Sequence, residues 1–88
     1  MSSVRLAFSS DGPRALSTLE AGQRGVVAGV SAHRGGRTDR LHAFGVTPGA
    51  SVTVLQTFPG IVFLCDQTEL AVERGVADAI LVRVQEIR

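Results

Sequence analysis

Between Arg40 and Leu55 the sequence reads RLHAFGVTPGASVTVL, and four local signals in it agree on a short helix, a stop, a tight turn and a strand. Leu41 and Phe44 are three residues apart and share one helical face. Gly45 stands where a helix ends in the left-handed region, and Thr38 or Asp39 can cap the other end. Pro48 presets the second position of a type II turn, and Gly49 supplies the positive φ that the third position demands. A strand is predicted from about Ala50.

The flanking sequence reads as short strands joined by turns. Leu16 and Leu19, followed by Gly22, predict a single turn leading into a strand over Gly25 to Val30, and Ala32 to Arg37 is a loop with two adjacent glycines. Ser51 to Phe58 is expected as a strand with Val52 and Val54 on one side and Thr53 on the other. Pro59 and Gly60 reverse the chain into a strand over Ile61 to Asp66. Gln67 and Thr68 then lead to Glu69 to Val72, a helical turn over Glu73 to Ala79, and a closing strand from Ile80 to Val84. About five short strands with one short helix after the first predict a small all-β antiparallel barrel spanning residues 14–88. Residues 1–13 form an arm or, because Val4, Leu6 and Phe8 alternate, an extra edge strand.

Eighty-eight residues suffice for one small core, and 44% apolar with 19% charged residues is the composition of a folded domain. All nine basic residues are arginine and stand against eight acids, a net charge of +1. That balance argues against general nucleic-acid binding, which needs a dense positive footprint. The one cysteine precludes an intrachain disulfide, and no stretch resembles a signal peptide. The longest apolar run, Ile61 to Cys65, falls far short of the roughly 20 residues that span a bilayer. The expected compartment is the cytoplasm, with no insertion into the membrane.

Order and spacing carry a family resemblance. Leu16, Leu19, Gly22 and Gly25, then Arg40-Leu41 with Phe44 to Gly49, then Val52 and Val54, and finally Glu69 to Val72 with Ala77 to Val82, resemble the FeoA family over about residues 14 to 85. The resemblance implies an SH3-like barrel that serves as a cytosolic accessory to the ferrous-iron permease FeoB, at the inner face of the membrane. The same module resembles the C-terminal domain of diphtheria-toxin-repressor-type metal regulators. The connection between Leu55 and Ile61 is shorter than in many FeoA proteins, which bears on how a partner docks.

Catalysis is not expected. Ser, His and Asp occur outside any nucleophile setting, and Gly35-Gly36 lacks the Lys and Ser or Thr of a phosphate-binding loop. His33, His42 and Cys65 are the imidazole and thiol groups, weak candidates for a divalent ion such as Fe2+, Mn2+ or Zn2+ because no CxxC or HxxxH spacing unites them. Arg34, Arg37 and Arg40 place three of nine arginines within seven residues, a cluster able to dock an acidic surface or simply to remain solvated. The apolar run at Ile61 raises the question of what covers its outer face: the amino-terminal arm or a partner. The sequence therefore nominates Arg37, Arg40, Phe58, Ile61 and Phe63 for partner contact, and Leu41, Phe44, Gly45, Pro48 and Gly49 for the helix-turn element. A metal-binding regulator or carrier and a self-associating adaptor, as a homodimer, are the alternatives to a permease-binding module.

Overall fold

The structure, a computed structural model, describes residues 6–8, 12–31 and 39–87. Among the described residues, seven strands make one antiparallel sheet: β1 (Leu6–Phe8), β2 (Arg14–Ala15), β3 (Arg24–Val30), β4 (Ser51–Gln56), β5 (Ile61–Cys65), β6 (Thr68–Val72) and β7 (Ile80–Ile87). Two short helices, α1 (Asp39–Ala43) and α2 (Arg74–Ala77), and a 3₁₀ turn over Leu16–Thr18 accompany it in the described residues. The strand order is β1-β7-β3-β4-β5-β6, with β2 also on β7. This is the expected all-β, SH3-like architecture, with the sheet open at β6. The five expected strands are β3 to β7, and β1 and β2 are additions along the edge of β7.

Alternation builds the core. Val52 and Val54 of β4, Ile61, Phe63 and Cys65 of β5, and Ile80, Val82 and Val84 of β7 all face inward and are buried. The 3₁₀ turn adds Leu16 and Leu19, because side chains three apart eclipse at three residues per turn. Val76 and Ala77 of α2 close one end.

The helix-turn element forms as its residues demand. Val46 N–H donates to the Leu41 carbonyl at 2.9 Å and Gly45 N–H to the His42 carbonyl at 3.1 Å, the paired bonds of a Schellman stop, with Gly45 at φ 90°. Its apolar clasp is Leu41 against Val46, both in the core cluster. Thr47 to Ala50 then closes the turn through an Ala50 N–H to Thr47 C=O bond of 3.0 Å, with Gly49 at φ 96°. Gly49 N–H donates to the Val27 carbonyl at 2.8 Å and Val27 N–H to the Ala50 carbonyl at 2.9 Å, which pins the turn to β3.

Strand ends shift from expectation, most at β4 and β7. β4 stops at Gln56 instead of Phe58, because a bulge between Val54 and Gln56 ends the regular ladder before the turn that contains the cis Phe58-Pro59 bond. β7 runs on to Ile87, since its second half pairs with both β1 and the start of β3. Strand β1 pairs with β7, so residues 6–8 form an extra edge strand of the sheet.

Candidate functional site

The nominated contact residues separate sharply. Ile61 and Phe63 have no exposed surface, and this corrects their assignment to partner contact: they lie on the inner face of β5, in register with Val72 and Leu70 of β6. Phe58 is the opposite case. It sits in the β4–β5 turn with 80% of its surface exposed. Arg40 is exposed on α1, whereas Arg37 and His33 lie outside the described residues.

Within the helix-turn element, Leu41 is buried but Phe44 is 52% exposed. Phe44 N–H still donates back to the Arg40 carbonyl at 3.2 Å, and Phe44 borders the same depression as Leu41, but it stands at the outer end of the turn where less of the core covers it. Pro48 and Gly49 stand at the surface with the turn itself anchored to β3.

The metal candidates do not converge. Cys65 is buried and its thiol donates to the Gly45 carbonyl at 3.5 Å, while His42 is exposed on α1. Burial pushes the Cys65 thiol above its ordinary value of 9.0, and the neighbouring Asp66 carboxylate adds to the shift. A neutral, enclosed thiol is a poor metal ligand, because the thiolate is the binding form. Among the described residues no group of three His, Cys, Asp or Glu side chains is placed to hold an ion. Asp66 instead serves the β5–β6 hairpin: at φ 54° its N–H donates to the Ser51 carbonyl at 2.9 Å, and its carboxylate accepts from Ser51 N–H at 3.1 Å.

A concave site does exist, and the sequence did not reveal it. A groove of about 620 Å³ is lined by Arg40, Leu41 and Phe44 around α1 and by Leu70 to Glu73 and Val76 on the other flank. Leu70 and Val72 are half-buried against the core, so the floor is apolar. Arg40 marks one side and Glu73 the other. The alternation of Leu70 and Val72 with exposed Glu69 and Ala71 was the available signal, but it could not show that α1 lies opposite.

Comparison with known proteins fits this geometry. The FeoA domain family model matches residues 14–84. No curated protein sequence matches the chain significantly. Among solved structures, the FeoA protein from Chlorobium tepidum is 35% identical, with a TM-score of 0.69, over 78% of this chain and 68% of that one. A crystal structure described as iron uptake regulatory protein (FeoA) is 27% identical, with a TM-score of 0.69, over 82% of this chain and 97% of the other. The IdeR protein of T. acidophilum shares the fold at a TM-score of 0.74 and 17% identity, over 82% of this chain and 34% of that protein.

Proposed function

The chain belongs to the FeoA family, which is associated with ferrous iron uptake, and on that premise we propose that it is a regulatory binding module that touches the cytosolic part of a FeoB-type permease. The observation that carries this reading is the exposed pair Arg40 and Phe44 beside an apolar groove. Arginine and aromatic side chains bordering an apolar depression are the residue types that anchor protein interfaces. Arg37 adds charge beside Arg40 in the sequence, and Phe58 offers a second apolar contact on the β4–β5 turn. No helix among the described residues is long and apolar enough to cross a membrane; on this reading the permease brings the module to the inner membrane surface.

The test is co-purification. The tagged chain is passed over solubilised membranes containing the permease, with Arg40→Glu combined with Phe44→Ala as the altered form. Retention of the permease by the original chain, and its loss with the double substitution at unchanged melting temperature, supports the reading. Equal retention by both removes this surface from it, and no retention by either removes the permease.

A further inference from the structure

The groove has an unusual lining: Leu70, Ala71, Val72 and Glu73 are consecutive. Successive strand side chains point to opposite faces, so a depression on a sheet face touches alternate residues only. Contact with consecutive residues means that the groove runs along the edge of β6 and onward past its end. That edge is open, because β6 pairs with β5 and with no other strand among the described residues.

The register shows which backbone groups the edge presents. Cys65 pairs with Thr68 around the two-residue turn Asp66-Gln67. The pair that closes such a hairpin exchanges both of its hydrogen bonds, and bonded pairs then alternate. Thr68, Leu70 and Val72 therefore turn their N–H and C=O groups toward β5, and Glu69 and Ala71 turn theirs to the open side. An open edge of this kind is a template for another strand. Five residues at about 3.3 Å each give it a length of about 17 Å.

We propose that this edge and its groove bind an extended peptide segment of a partner protein, which adds a strand beside β6, sends alternate apolar side chains over Leu70, Val72, Phe44 and Val76, and sets a carboxylate against Arg40. The groove supplies the apolar floor, and the open edge supplies hydrogen-bonding groups that an incoming helix, whose own backbone is already paired, does not satisfy. The acidic group follows from charge complementarity. The exposed Arg40 guanidinium at the rim makes no hydrogen bond or ion pair with the described residues, and a carboxylate matches its paired donors. This deepens the binding-module reading and rests on it, without depending on which protein carries the segment.

The experiment pans a displayed library of random twelve-residue peptides on the full chain and follows the enriched peptides by amide hydrogen exchange. Expected are sequences with alternating apolar residues and an Asp or Glu, at least tenfold slower exchange at Glu69 and Ala71, and at least tenfold weaker binding for Ala71→Pro and for Arg40→Glu. Ala71→Pro removes one outward N–H and leaves the β5 ladder intact, a substitution that edge strands tolerate; its melting temperature is checked alongside, and Arg40→Glu does not depend on it. Enrichment at background, helical peptides, or binding that leaves the two amides unchanged overturns the proposal. So does self-association in sedimentation that slows the same amides without peptide, since a second copy then occupies the edge. Permease co-purification is scored separately: permease held by a chain whose edge captures nothing defeats the edge mechanism alone, and peptides seated on the edge without permease retention defeat the choice of partner alone.

Discussion

Replacing Gly25 by alanine sets a methyl group where β7 already lies. Gly25 is buried in β3 between Val52 of β4 and Val84 of β7. A Cβ there would stand 2.5 Å from Val82 Cγ1, closer still to the Arg83 carbonyl oxygen, and 3.1 Å from the Arg83 carbonyl carbon. Ordinary carbon contacts lie at about 3.5 to 4.0 Å, so β3 and β7 must separate by about 1 Å. The Arg83 carbonyl is backbone and cannot swing aside as the Val82 side chain could. Overpacking of this kind costs about 1 to 3 kcal/mol, and a rigid obstacle places it near the upper end. Alanine recovers about 0.4 to 1 kcal/mol by restricting the unfolded chain, which leaves a net loss of about 2 kcal/mol. At about 4 to 8 °C per kcal/mol for a domain of this size, the melting temperature should fall by about 8 to 16 °C. Gly29 is the internal control. It lies in the same strand with nothing within 4 Å of its would-be Cβ, so Gly29→Ala takes the unfolded-state gain without the clash. Thermal denaturation followed by circular dichroism compares the two. A Gly25→Ala variant melting within about 2 °C of the original, or a Gly29→Ala variant falling as far as Gly25→Ala, refutes the packing argument.

Three further outcomes follow from the same structure. Phe63→Ala should cost about 3 to 5 kcal/mol in urea denaturation, whereas Phe58→Ala on the exposed turn should stay within about 0.5 kcal/mol, and comparable losses would contradict their opposite burial. Gly49→Val, with a β-branched residue forced to φ 96°, should lose about 1 to 3 kcal/mol in the same assay. The folded domain holds the Cys65 proton more tightly than the unfolded chain does, so stability contributed by this group is present below pH 9.0 and falls as pH rises above it; Cys65→Ala should lack that alkaline loss in melts across the range, and an identical alkaline profile would contradict the assignment.

How much of this was legible in the sequence depends on how local each feature is. The Schellman stop at Gly45 and the Pro48-Gly49 turn are fixed within a few residues, and both form where local backbone chemistry requires them. Val52 and Val54 announce their inward face because Ser51 and Thr53 separate them. The run from Ile61 to Cys65 carries no such mark: every residue is apolar, and its inner and outer faces are distinguished only by how β4 and β6 flank it. The sequence therefore offers Ile61 and Phe63 for partner contact, whereas tertiary structure makes them core. Leu41 and Phe44 border one depression as their spacing of three implies, but that spacing does not tell how deep each lies, and Phe44 is half exposed where Leu41 is buried. The groove itself joins segments about thirty residues apart, Arg40 to Phe44 and Leu70 to Val76, and no periodicity within either predicts that meeting.

The account turns on recognition by contact, and calorimetric titration of the purified chain into purified permease, beside a parallel anaerobic titration with Fe(II) alone, tests it most directly. Saturable heat with the permease, weakened at least tenfold by Arg40→Glu together with Phe44→Ala, is the predicted result. Saturable heat with Fe(II) and none with the permease would contradict it.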